Sequence, residues 1–247
     1  MKIRYLPGVL AAAILMAAPL FGQAFVTIYD PVKCETEKNF TAAEEKLITT
    51  IAVPKARRRW KDVGGCDEPG NFNIAGAASG ASTRKAASQR ALLYELCQTG
   101  NGFANNGLAI IESGKIVAHF VTEGGWNLSM VSLPDINRNG FDELLIETSG
   151  GMHQGYSGMG VTMLEVSTSA GKELGWFLAY TNECEKCSPG EYCDRSYKIT
   201  AKPAVLPVYY QQKYDNKGDD ENTKWAVSGK RTIVKPKKGN FRYVFVK

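Results

Sequence analysis

The sequence predicts a mainly β fold, an antiparallel meander led by two N-terminal helices and therefore α+β overall. Two observations carry that expectation. From Leu108 onward, short runs of Val, Ile, Leu and aromatic residues recur between polar turns, the spacing of strands that pair with their neighbours. Before Leu108, the segments 41–48 and 82–97 carry helical signals instead.

The first element reads as a targeting segment. Lys2 and Arg4 precede an apolar run from Leu6 to Phe21, and Gly22-Gln23-Ala24 places small residues where a leader peptidase cuts. A membrane anchor is the competing description. The run is short for a span, a proline lies near each end, and a cleavage signature follows, so the expectation is a signal peptide removed after Ala24. The mature chain is then secreted or periplasmic, with no transmembrane segment. The expected organisation is 1–24 signal peptide, 25–107 helical and loop region, and 108–247 β domain.

Residues 25–33 read as a short strand or extended arm. Thr41 can cap a helix over 41–48, with Glu44 three positions on completing a capping box, and Pro54 is expected to end it. Lys55, Arg57, Arg58, Arg59 and Lys61 surround Trp60. They read as a solvated face, with an anionic polymer or membrane surface as the alternative. Gly64 to Gly80 is rich in small residues and reads as a long loop held by Cys66. Ala86, Leu92, Leu93 and Leu96 give 82–97 a helical apolar face. Strands follow over 108–111 and 115–121 around a Ser113-Gly114 turn, then over 126–133, 144–148, 160–166 and 174–181. A third block over 204–210, 224–228, 231–234 and 241–246 completes the set. Lys235, Lys237, Lys238, Arg242 and Lys247 read as charges guarding an edge strand.

The formal charge of +5 falls to about +3 without Lys2 and Arg4. That balance is mild and calls for no nucleic acid. The six cysteines, Cys34, Cys66, Cys97, Cys184, Cys187 and Cys193, are even in number and belong to an exported chain, which predicts disulfides with open connectivity. Three lie on either side of the acidic loop, so full pairing requires a bridge between the halves. Zinc is the lesser alternative for Cys184, Cys187 and Cys193, since neither His119 nor His153 is near them in sequence.

The segment that names a chemistry is Asp135-Ile136-Asn137-Arg138-Asn139-Gly140-Phe141-Asp142-Glu143. Oxygen-bearing side chains alternate along it, and a glycine stands where the chain must bend. Asp135, Asn137, Asn139 and Glu143 would offer side-chain oxygens to calcium and Phe141 its carbonyl, with Asp142 pointing outward. An EF-hand is excluded, because Ile146 stands where that loop needs its last glutamate and the following residues read as a strand. A plain Asn-Gly turn with solvated acids is the alternative.

Residues 132–146 resemble one FG-GAP repeat, the strand–calcium-loop–strand unit of integrin-α-type (VCBS-type) propellers. Gly150-Gly151, Gly158-Met159-Gly160 and the 161–166 run resemble the rest of that blade. The resemblance spans about residues 108–180 and implies a propeller-blade-like sheet whose loop calcium is structural. A full propeller needs about four blades or more, and one is recognisable, so a partial, blade-like sheet with appended helices is expected.

No phosphate loop, dinucleotide fingerprint or zinc-protease helix is present. His153 and Tyr156, in the glycine-rich 150–160 stretch, are the candidate ligand contacts. Met159 breaks the nucleophile-elbow pattern around Ser157, and no catalytic residue is assigned. The expected function is a calcium-stabilised, disulfide-bonded binding or structural domain for a protein or glycan ligand. The alternative is a secreted hydrolase with its site beside 150–160.

Overall fold

The structure, a computed structural model, describes residues 24–33, 39–60, 66, 72–100, 102–153, 156–183, 194–218, 222–239 and 242–246. The expected signal peptide lies almost wholly outside them, as do Lys61, Cys34, Cys184, Cys187 and Cys193.

Strand β1 (Val26–Tyr29) comes first, followed by helix α1 (Ala42–Leu47), a π-type stretch (Ile48–Ala52) and helix α2 (Val53–Arg59). Then come β2 (Asn73–Gly80), β3 (Gln89–Gly100), β4 (Phe103–Glu112), β5 (Lys115–Gly124), β6 (Trp126–Leu133), β7 (Glu143–His153), β8 (Tyr156–Val166) and β9 (Gly171–Glu183). The chain closes with β10 (Asp194–Lys202), β11 (Val208–Asn216), β12 (Trp225–Val227), β13 (Thr232–Val234) and β14 (Val244–Phe245). All pairings are antiparallel and form two sheets. One runs β14-β5-β4-β3-β2. The other runs β12-β11-β10-β9-β8-β7-β6, with β1 on β10 and β13 on β11.

Alternation along the strands sorts the apolar residues into three layers. Leu92, Tyr94, Leu96, Ala109 and Val121 face the helix, where they meet Ile48, Ala52 and Ala56. Ala91, Leu93, Leu108, Ile110 and Phe120 face the second sheet and pack on Met130, Leu144, Ile146 and Leu164. Leu145, Val161, Met163 and Phe177 point to the far side, where Ile28, Ile199 and Tyr209 close a third core.

The expected helix over 82–97 is strand β3, reached by a turn after Ser82. Both of its faces are buried, so its apolar residues run consecutively and imitate a helical stripe. The expected loop to Gly80 contains strand β2. Its small residues are set by a neighbour rather than by a turn, since a Cβ on Gly76 would stand 2.7 Å from the Met130 backbone nitrogen on β6. The first sheet therefore draws strands from both sides of residue 108.

The capping box is present. Thr41 Oγ1 accepts from Glu44 N at 3.2 Å, and Thr41 N donates to Glu44 Oε2 at 2.7 Å. Pro54 does not end the helix. It falls just after the wider π-type turn, which removes the clash and the missing N–H that a proline imposes on a regular α-turn. Arg90 Nε donates to Glu44 Oε1 at 2.8 Å and ties the capped end to β3. Thr41→Ala should lower stability by about 1 kcal/mol. A shift of the urea midpoint checks this, and no shift would mean the cap is idle.

The hairpin at Ser113-Gly114 forms as expected, with positive φ at both residues (50° and 72°). The expected strand over 204–210 begins only at Val208. Pro203 and Pro207 turn the intervening residues into a projecting connection. Among the described residues no helix is long and apolar enough to cross a membrane.

Candidate metal centre

The acidic loop joins β6 to β7 and folds back on itself. Asp135 takes backbone N–H groups on both oxygens, Oδ1 from Asn139 at 2.9 Å and Oδ2 from Gly140 at 2.7 Å. Asn137 Oδ1 accepts from Asn139 N at 3.1 Å, and Asn139 Oδ1 accepts from Phe141 N at 2.9 Å. Gly140 and Arg138 adopt positive φ (93° and 61°), the bend that the glycine position predicts. The chain leaves the loop as strand β7 and not as a helix.

Glu143 is 0 % exposed. Its Oε2 accepts from Ile136 N at 2.9 Å and its Oε1 from Asn137 N at 3.4 Å. Burial pushes its carboxyl up to about 7. The two backbone donors oppose that rise, and the charge of Asp135 adds to it. The Ile136 side chain is fully buried in the third core and plugs the loop onto the sheet. Ile136 O accepts from Ala204 N at 3.1 Å, so the β10–β11 connection sits against the loop.

One member was missed in the sequence. Glu165 on β8 reaches the loop, where its Oε2 accepts from Asn137 Nδ2 at 2.9 Å and also from Asn139 Nδ2. It comes from a strand two removed from β6, and its only signal is a carboxylate in an otherwise apolar run. Asp142 does not point freely outward. Its Oδ2 accepts from Ala81 N at 2.7 Å and its N donates to Ala81 O at 3.2 Å, which fastens the loop to the β2–β3 connection.

Asp135, Asn137, Asn139 and Glu143 lie on one bend, and Glu165 faces both amides. Rotating each amide end for end would turn its oxygen towards Glu165. Among the described residues no three His, Cys, Asp or Glu side chains group as a metal site. The available set is oxygen only, part charged and part amide or carbonyl, which is calcium's ligand chemistry and not zinc's.

The expected loop at 150–160 is instead the arms of the β7–β8 hairpin, in which His153 pairs with Tyr156. The side chains of His153 and Tyr156 lie outside the described ones, so the ligand-contact expectation has no geometry to meet. Cys66 and Cys97 are joined in a disulfide, with Cα atoms 4.9 Å apart.

His119, at 3 % exposure, lies on the face of β5 that forms the core under the helix. Its Nε2 and the hydroxyl of the fully buried Tyr94 are 2.5 Å apart. Burial, helped by the Lys55 ammonium, lowers the imidazole to about 4. The unfolded chain binds that proton near 6.5, so between those values the unfolded state is protonated and the fold is not. Stability from this group is complete above about pH 6.5 and is lost as pH falls towards 4, by up to about 3 kcal/mol. A His119→Gln chain should lack that acid loss. Urea unfolding of both chains at neutral and acid pH reads the difference, and parallel pH profiles would refute it.

The two sheets and the loop define a class, an antiparallel β domain with an acidic hairpin connection buried at its root. Searches against protein-family models, curated proteins and solved structures give no match.

Proposed function

We propose that this chain is an exported, calcium-stabilised and disulfide-bonded β module, FG-GAP-like in its acidic loop, that serves as a binding or structural domain for a protein or glycan ligand. The observation that carries the calcium assignment is Glu143. A carboxylate with no exposed surface, next to Asp135 and within a loop that also gathers Asn137, Asn139 and Glu165, calls for a compensating positive charge. Calcium held by Asp135, Asn137, Asn139, the Phe141 carbonyl and Glu143, with Glu165 opposite, would supply it. The succession of two meanders, β2–β5 and β6–β9, with β2 packed beside β6, also supports the blade-like comparison.

With Asn137 and Asn139 neutral among the side-chain ligands, affinity should lie in the range of extracellular modules, about 10⁻⁴–10⁻³ M. The test is melting of the purified chain in calcium and in chelator. Calcium at ten times its dissociation constant should add about 1.4 kcal/mol. Identical melting curves in calcium and in chelator would end the assignment.

A further inference from the structure

The strongest unassigned surface lies at the far corner of the second sheet. Tyr209 points into the third core, so its neighbours Val208 and Tyr210 face outward. Tyr210 pairs with Ile233 on β13, and the Phe25 ring meets the Tyr210 ring edge-on at 5.2 Å. Ile233, Phe25 and Val208 are all exposed. At the end of this face the connection between β10 and β11 carries Val205 and Leu206, 76 % and 85 % exposed and held between Pro203 and Pro207. They are the two most exposed of the large apolar residues described.

The strands of this face carry positive charge, while the acidic loop meets the β10–β11 connection at Ala204 and Asp30 is already paired with Lys198. Residues 195–214 contain no Asp or Glu, and neither do residues 224–247, which hold six lysines and two arginines. Lys202 pairs with Val208 across the strands, and the Arg231 guanidinium stands 4.8 Å over the Phe25 ring. Lys230, Arg231 and Lys235 flank β13 and are exposed. None of these four cations forms an ion pair among the described residues.

We infer that this face docks on an anionic lipid surface, with Val205 and Leu206 entering the acyl boundary and Lys202, Lys230, Arg231 and Lys235 meeting headgroup phosphates. A second copy of the chain would bring the same positive charge against itself. A soluble polyanion would satisfy the cations and leave the aliphatic tip in water. An anionic bilayer uses both, since apolar insertion and basic residues near the surface add. The rigid flanking prolines also limit the order that must be imposed on the tip at docking.

The test is co-sedimentation of the full chain with phosphatidylcholine vesicles, with and without phosphatidylglycerol. Binding is expected to the anionic vesicles alone and to weaken with salt. Val205→Ser with Leu206→Ser should reduce it about tenfold or more, and Arg231→Glu by about fivefold or more, with melting unchanged because these side chains are exposed. In a Leu206→Trp chain, tryptophan emission should shift to the blue when anionic vesicles are added. The proposal is overturned if the parent chain stays in the supernatant, if the serine variant binds as the parent does, or if the new tryptophan does not shift. Binding to dextran sulfate that equals vesicle binding and ignores the serine changes would also overturn it, in favour of a polyanion surface.

Discussion

Glu143→Ala should lower the stability of the fold by about 3 kcal/mol and remove its response to calcium. Two causes add. The carboxylate accepts the backbone N–H groups of Ile136 and Asn137, and truncation leaves both without their acceptor in a site closed to water. It also removes the one fully buried oxygen pair of the proposed ion site. Glu143→Gln separates these causes, because it keeps the volume and one acceptor oxygen. It should therefore fold with a smaller loss and still ignore calcium. The two chains also differ in pH response in chelator. With its carboxyl raised to about 7, parent Glu143 favours the fold fully below about 4.5, and that contribution is lost as pH rises through 7. The glutamine variant lacks this slope. Urea titrations with calcium and with chelator measure all three quantities. A Glu143→Gln chain that gains as much from calcium as the parent would remove Glu143 from the ligand set.

Breaking the bond between Cys66 and Cys97 should lower stability by a similar amount. The bridge closes a loop between residues separated by 31 positions, for which chain entropy gives about 3.5 kcal/mol. Both residues are buried, beside the carboxamide of Asn105, whose Nδ2 lies 3.1 Å from the Cys66 sulfur. Cys66→Ser with Cys97→Ser, compared with the parent by denaturant unfolding, measures the effect. A loss under about 1 kcal/mol would show that the bridge adds little to its surroundings. Non-reducing peptide mapping of the parent gives a second readout. With Cys66 and Cys97 joined, full pairing obliges Cys34 to bond to Cys184, Cys187 or Cys193.

The helix start, the hairpin at Ser113-Gly114 and strand β6 could be read from the sequence because each is specified locally. Thr41 and Glu44 cap each other, Gly114 supplies a positive φ to the turn, and Pro134 follows the end of β6. What could not be read depends on partners distant in sequence. Leu92 and Leu93 are both buried because β3 is covered by the helix on one side and by the second sheet on the other. β2 resembles a loop because its glycine answers to Met130. The same division runs through the candidate site. Asp135, Asn137, Asn139 and Glu143 fall in one stretch and announce themselves by spacing, whereas Glu165 joins them only through sheet register, and the Asp142 contact with Ala81 only through the stacking of the sheets.

The closeness of β2 to β6 at Gly76 has a consequence for how the molecule comes apart. Both sheets line the layer between them, so separating them bares both linings to solvent at once. The two sheets are therefore expected to melt together. Unfolding is thereby made all-or-none across the seam, and the acidic loop, fastened at Ala81 to one sheet and growing out of the other, opens with it.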